Sequence, residues 1–216
     1  NGIDTILSEH LKPYVKDGVL TVNFNNCSRN FDCSGLQLNS LKGVPKKVSG
    51  SFICNGNYIK SFEDGPEIVE GSYNAGYNMF LESLKGAPNK VRTFVIEHCY
   101  ALTSLQYGPK IVDKIYKCND CNSIKTLEGA PKQCDYFNCS WCDNLQSLKG
   151  SPQYITRAFD CSNCKKLETL EGNNFREVKH LSFEGCHSLT SLDGLNGVTF
   201  NTVITPDQNL LKSTDL

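Results

Sequence analysis

Apolar residues recur along this chain with a period of 21 or 22 residues. One column of apolar side chains comes just before each predicted turn, and a second column lies three residues earlier. The first column contains Leu41, Phe62, Leu84, Leu105, Leu127, Leu148, Leu170 and Leu192, and the second contains Leu38, Ile59, Leu81, Leu102, Ile124, Leu145, Leu167 and Leu189. Eight copies at so regular a period predict a repeat protein in which each copy stacks on the next.

Each repeat also contains the pattern of one short strand and one turn. The strand is a three-residue segment whose outer members are apolar, as in 94–96 and 159–161, which is typical of a strand with one buried face. Prolines at 45, 66, 88, 109, 131 and 152 mark the turns. Because proline stops a long helix, we expect the side opposite the strands to be extended or 3-10 in character.

A ladder of asparagine and cysteine follows the predicted strands. It consists of Leu36, Asn57, Asn78, Cys99, Cys121, Cys142, Cys164 and Cys186. Here the chain turns inward, and its backbone groups need partners. An asparagine amide can hydrogen-bond them, whereas a cysteine thiol does so more weakly while filling apolar space.

The complete motif, FDCSNCKKLETL at 159–170, resembles the leucine-rich-repeat family, whose consensus is L-x-x-L-x-L-x-x-[N/C]-x-L. The resemblance covers roughly residues 31 to 192, and the short period with a glycine-proline turn is similar to repeats of bacterial and bacteriophage proteins. It implies an α/β-type solenoid, mainly β, with a curved parallel sheet and few helices. It also implies a concave sheet face that binds extended partners. Cysteine inside the strand and Leu36 in the ladder depart from the consensus.

The two ends of the chain differ from the repeats. Residues 1–24 are predicted to form an N-terminal cap, with a short helix at Ile6–Leu11 and a strand at Gly18–Phe24. The repeats occupy residues 25–194. Beyond them the pattern decays, so residues 195–216 are predicted to form a C-terminal cap and a loose tail.

Three C-x-x-C pairs stand out among the twelve cysteines, namely Cys118/Cys121, Cys139/Cys142 and Cys161/Cys164. Such pairs can hold zinc or form a redox dithiol. They can equally be neighbours in two core columns three residues apart. The strand column elsewhere contains Ala75, Ile96 and Phe183, and no metal site accepts phenylalanine or isoleucine as a ligand. We therefore interpret the thiols as structural and expect no metal and no cofactor.

Only Cys27 falls outside the columns in this interpretation. Buried, reduced thiols favour a cytoplasmic location, in a bacterial or virus-infected cell, and a place in a virion is the alternative.

Charge and motifs narrow the classes of function. The chain has 22 basic and 23 acidic residues, which gives no reason to expect a nucleic acid or a membrane surface as partner. No apolar run reaches the ~18–20 residues of a membrane span. The four histidines are scattered, and no P-loop, G-x-S-x-G or H-E-x-x-H motif occurs. The sequence thus favours a non-catalytic protein.

The predicted concave face is mostly small and polar. Its best candidate hot spot consists of Tyr136, Asn138, Ser140 and Trp141, because aromatic anchors dominate binding energy. Further candidates on or beside this face are Glu97, Lys117, Asp160, His180 and Ser182. An alternative for the only tryptophan is that it packs against a neighbouring turn.

The sequence therefore predicts a protein–protein interaction module whose partner is a protein of unknown identity. Two alternatives stay open. One is a structural component of a larger assembly, such as a viral or phage particle, held through its edges and convex turns. The other, which fits the cysteine columns less well, is a metal- or redox-active protein that uses the C-x-x-C pairs.

Overall fold

The protein is a mostly β, parallel solenoid of about nine turns with few helices. The computed structural model describes residues 5–207 and 210. Ten strands form one sheet in which each strand pairs with the strand of the next repeat, and every pairing is parallel. This confirms the predicted β-rich solenoid.

The elements alternate between short strands and turns. In chain order the strands are β1 Thr5–Ile6, β2 Val15–Lys16, β3 Val19–Leu20, β4 Asn26–Cys27, β5 Asn30–Asp32, β6 Lys47–Val48, β7 Phe52–Ile53, β8 Ile68–Val69, β9 Ser72–Asn74, β10 Lys90–Val95, β11 Ile111–Lys117, β12 Gln133–Asn138, β13 Tyr154–Asp160, β14 Glu177–Ser182 and β15 Thr199–Ile204. The helices are α1 Ser8–Leu11 and two 3-10 helices, Lys12–Tyr14 and Asp193–Leu195. No helix in the described part of the chain is long and apolar enough to cross a membrane.

A second, smaller sheet lies beside the first in the early repeats. It consists of β4, β6 and β8, again parallel. From β10 onward the corresponding residues join the main strand, which lengthens to six or seven residues. Cys27 pairs in register with Val48, so the prediction that Cys27 lies outside the columns is wrong. No complete copy of the apolar motif precedes Cys27, so its register was not evident from the sequence.

The predicted apolar columns form one continuous core. All sixteen residues of the two leucine-rich columns are at most 3% exposed. Behind the strands runs a column of stacked or tilted aromatic rings with centroids 4.9–6.0 Å apart, made of Phe31, Phe52, Tyr73, Phe94, Tyr116, Phe137 and Phe159. Each ring contacts the ring of the next repeat, so burial in one repeat depends on its neighbours.

The ladder residues hydrogen-bond the backbone as predicted. The Nδ2 of Asn57 donates to the carbonyl oxygens of Cys33 at 2.9 Å and Cys54 at 3.0 Å, and its Oδ1 accepts from the backbone N–H of Leu38. The ladder cysteines do the same with one donor each: the thiol of Cys121 lies 3.0 Å from the carbonyl oxygen of Ile96. These buried carbonyl groups, which lie just after each strand, therefore have partners.

The two ends differ from the elements predicted for them. Ile6 lies in β1, so the predicted N-terminal helix is reduced to α1, and the predicted strand 18–24 is reduced to β3, which forms an antiparallel hairpin with β2. Residues 195–216, predicted as cap and tail, include the six-residue strand β15. Residues 1–4, 208–209 and 211–216 of the two end segments lie outside the described part.

Candidate binding surface

The outer face of the main sheet carries the predicted candidates in neighbouring strands. Lys117, Asn138, Asp160 and Ser182 are aligned one beside the next in β11 to β14. All four are half-buried and lie on the side of the sheet opposite the core. The alternation of side chains along each strand places them there, as the pattern predicted.

A hydrogen-bond network links two of these strands. The hydroxyl of Tyr136 donates to Oδ2 of Asp160 at 3.3 Å, and Nδ2 of Asn138 donates to the same hydroxyl at 3.2 Å. The Oδ1 of Asn138 accepts from the backbone N–H of Ser140 at 2.8 Å and from its hydroxyl at 2.7 Å. Four side chains of the candidate hot spot and its surroundings are thus held in one arrangement.

The same arrangement repeats one strand further. The Oδ1 of Asp160 accepts from the backbone N–H of Ser162 at 3.0 Å and from its hydroxyl at 2.6 Å. The hydroxyls of Ser162 and Ser182 lie 2.8 Å apart. A surface whose rotamers are already fixed loses little side-chain entropy when a partner binds.

The ionisation of Tyr136 fits a hydrogen-bonding role. Partial burial, with the Asp160 carboxylate as the second cause, raises the pKa of the Tyr136 phenol above its ordinary value. The hydroxyl therefore stays protonated at neutral pH and donates to the carboxylate. This part of the face offers fixed donors and acceptors to a ligand.

The other predicted candidates lie outside this network. Nδ1 of His180 lies 2.7 Å from the hydroxyl of Thr202 in β15. An ideal Cβ on Gly76 would meet the side chain of Glu97 at 3.0 Å, so Glu97 lies over that glycine. Lys117 adjoins Asn138 in register, and Trp141 belongs to a different feature, at the end of β12.

That feature is a row of residues with left-handed backbone, one in each repeat, directly before the ladder residue. We call it the αL row. It consists of Gly35, Gly56, Tyr77, His98, Asp120, Trp141, Asn163 and Gly185, with φ between 57° and 73°. The backbone N–H of Trp141 donates to the carbonyl oxygen of Ser162 at 2.8 Å, and other members make the equivalent bond. The left-handed residue redirects the chain so that the ladder side chain points inward.

Bulky side chains are unusual in this conformation. Glycine adopts it freely and fills three positions of the row, whereas a residue with a Cβ loses roughly 1–2 kcal/mol there. Trp141 and Tyr77 nevertheless occupy it, and each is 49% exposed. About half of the Trp141 surface thus faces solvent, so the indole is not fully packed against a neighbouring turn.

An aromatic and charged cluster lies in the middle of the row. The rings of Tyr77 and His98 stack with centroids 4.4 Å apart. Nε2 of His98 lies 3.7 Å from Oδ2 of Asp120, and its Nδ1 lies 3.2 Å from the hydroxyl of Tyr100. Sequence reasoning missed this cluster and treated the histidine as an isolated surface residue. The signal was the column directly before the ladder, in which glycine at both ends gives way to larger side chains in the middle repeats.

Two more exposed rings come from residues close in sequence to this cluster. Tyr58 and Phe80 make an edge-to-face contact at 5.8 Å, and both follow ladder residues. Met79, next to Phe80, is exposed too. Exposed apolar side chains that contact one another, as Tyr58 and Phe80 do, mark interaction sites more often than scattered ones.

All twelve cysteines are free and buried. Burial raises the pKa of most of these thiols, to about 12 for Cys134, with Asp135 as a second cause. Cys161 and Cys164 lie with their sulfurs 3.5 Å apart. Within residues 5–207 and 210, no group of three or more His, Cys, Asp or Glu side chains is arranged to hold a metal ion.

The turn side carries paired charges. Lys85 lies 2.7 Å from Glu63 and Lys149 lies 2.9 Å from Glu128, each pair joining adjacent repeats. Exposed pairs of this kind add at most about 1 kcal/mol of stability. They also place an acidic group beside each of these lysines.

No protein-family model, curated protein or solved structure matches this chain. Its residues and their geometry therefore carry the functional argument.

Proposed function

We propose that this protein is a non-catalytic interaction module of the leucine-rich-repeat type, which binds a protein partner through the outer sheet face and the αL row. The observation that carries the proposal is the aromatic occupancy of the αL row. Trp141 and Tyr77 adopt a backbone conformation that three other repeats give to glycine.

The energetics of the row support this proposal. A large residue in the left-handed region costs roughly 1–2 kcal/mol, and a half-exposed side chain regains only part of this through burial. Strained backbone of this kind clusters at ligand-binding sites. Binding energy from an aromatic anchor offsets the loss, since Trp and Tyr are the residues most enriched in hot spots.

The polar network supplies the specificity in this proposal. Tyr136 and Asn138 of β12 and Asp160 of β13 present donors and acceptors in fixed positions, and Trp141 follows β12 in the chain. A partner that crosses several strands would meet a repeated pattern of hydroxyl, amide and carboxylate groups. Such a surface suits an extended polypeptide with its own backbone N–H and C=O groups.

The period, the Asn/Cys ladder and the parallel sheet support membership of the leucine-rich-repeat family, with repeats of the short bacterial and phage kind. The fully buried thiols support a reducing location, the cytoplasm of a bacterial or virus-infected cell. Both statements are part of the proposal.

A second candidate function is a structural component of a larger assembly. The observation in its favour is a set of exposed apolar residues at the turns and at the strand starts that follow them. Tyr107, in the turn before β11, is 64% exposed, and Ile111 and Tyr154, the first residues of β11 and β13, are also exposed. In that case the contacts would lie away from the αL row.

Binding measurements with matched variants separate the two. A partner captured from host extract with the wild-type chain is purified and titrated against Trp141→Gly, Tyr77→Gly and the control Tyr154→Ala. We expect the tryptophan variant to bind at least ~30-fold more weakly, as a hot spot of about 2 kcal/mol requires, and the control to bind like the wild type. If both row variants bind as tightly as the wild type and the control binds more weakly, the contacts lie away from the αL row and the result supports the assembly function.

A further inference from the structure

The two edges of the main sheet are built differently. At the N-terminal edge, β1 spans two described residues, and α1 and the β2–β3 hairpin place Leu11 and Leu20 in the core. At the C-terminal edge, β15 has six residues and, among the described residues, pairs with β14 on one side alone. An open edge presents unpaired backbone N–H and C=O groups to any strand that fits.

Within the described residues, β15 has none of the usual protection against pairing. Proteins block an exposed edge with lysine or other charges, with proline or with a bulge. β15 reads TFNTVI, without charge or proline, and its register with β14 is continuous. The five other strands of six or seven residues all carry at least one charged side chain, for example Lys179 in β14. The interior strands carry charged side chains and the edge strand carries none, whereas in a protected sheet the edge strand is the charged one.

The core is also incompletely covered at this end. Val178 and Leu181 of β14 are buried, whereas their register partners in β15, Phe200 and Val203, are only half-buried. On the other face of the strand, Ile204 is 52% exposed. One more strand beside β15 would bury these side chains as each interior strand buries those of its neighbour.

We propose that this strand is β15 of a second copy of the chain, paired antiparallel about a twofold axis. An uncharged strand is complementary to itself, since no like charges meet across the axis. When the two six-residue strands overlap fully, Phe200 of one copy lies opposite Val203 of the other, twice, and aromatic pairs with β-branched residues stabilise antiparallel sheets. The capped N-terminal edge disfavours head-to-tail stacking, so the symmetric contact closes at two copies.

The test is the mass of the 216-residue chain in solution, by sedimentation or light scattering at micromolar concentration. The wild type should show twice 24.0 kDa. The double variant Asn201→Lys/Thr202→Lys should show 24.0 kDa with an unchanged circular dichroism spectrum, because both residues are exposed and face each other across the axis. The control variant Gln133→Lys adds a charge at an exposed position of the interior strand β12, and the protein that carries it should remain a dimer.

Three results would overturn the proposal. A monomeric wild type would mean that the edge is covered within one chain or stays unpaired. Species that grow with concentration beyond two copies would indicate head-to-tail stacking. A dimer retained in the double lysine variant would place the contact elsewhere. Trp141→Gly should leave the mass unchanged, so this test is independent of the proposed partner-binding surface.

Discussion

The buried thiols should make this fold sensitive to alkaline pH. Nine cysteines have a pKa raised in the folded state. They are Cys33, Cys54, Cys118, Cys121, Cys134, Cys139, Cys142, Cys161 and Cys164. The main cause of the raised pKa is burial for seven of them, whereas for Cys121 and Cys164 it is hydrogen bonding with neighbouring thiols, followed by burial. In the unfolded chain each thiol ionises near its ordinary pKa of about 8.5. Above that pH the unfolded state therefore releases protons that the folded state retains, and the free energy of unfolding falls.

The size of the effect follows from the number of thiols. At pH 8.5 each thiol lowers the free energy of unfolding by about 0.4 kcal/mol, and nine thiols lower it by roughly 4 kcal/mol. One pH unit higher the loss is about 1.4 kcal/mol per thiol and roughly 13 kcal/mol in total. The free energy of unfolding of a native protein is usually about 5–15 kcal/mol, so a loss of this size is enough to unfold it. We expect full stability below about pH 7.5 and unfolding by about pH 9.5.

Urea unfolding followed by circular dichroism, at several pH values between about 7.5 and 9 with a phosphine reductant, measures this slope. The matched variant is Cys118→Ala/Cys139→Ala, since Ala75 fills the same column in another repeat. It is less stable at neutral pH, but above the thiol pKa its stability should fall less steeply, by about 1.4 kcal/mol per pH unit for each thiol removed. A stability that stays constant up to about pH 9, or a slope unchanged in the variant, would refute the reasoning.

Three further predictions concern single positions, each measured by urea unfolding. Tyr73→Phe should raise the free energy of unfolding by about 1 kcal/mol, because its buried hydroxyl has no hydrogen-bond partner in the described structure; a loss would show that the hydroxyl is bonded. Asn78→Ala should lower it by about 3 kcal/mol or more, because Asn78 makes three buried hydrogen bonds to backbone groups, and a change under about 1 kcal/mol would contradict this. Trp141→Gly should raise it by about 1 kcal/mol by removing left-handed strain while weakening partner binding, and a loss would mean that the indole stabilises the fold.

The sequence by itself determined the solenoid, its period and its core. These features repeat every 21 or 22 residues, and a side chain's place in the repeat decides whether it points inward. Leu127 and Leu148 are buried because they occupy the same place in adjacent turns. The ladder could be predicted for the same reason. Asn57 and Cys121 hydrogen-bond backbone carbonyl groups that recur at the same place in every repeat.

Only the tertiary structure decided the surfaces. The Tyr136–Asp160 hydrogen bond joins residues 24 positions apart, and its geometry depends on the spacing between strands. The conformation of Trp141 is a backbone property that the residue type argues against. At the ends, β2, β3 and β15 have few or no matching copies in the chain, so periodicity carried little information. β15 forms by pairing with β14 of the last regular repeat, and β2 and β3 form by pairing with each other.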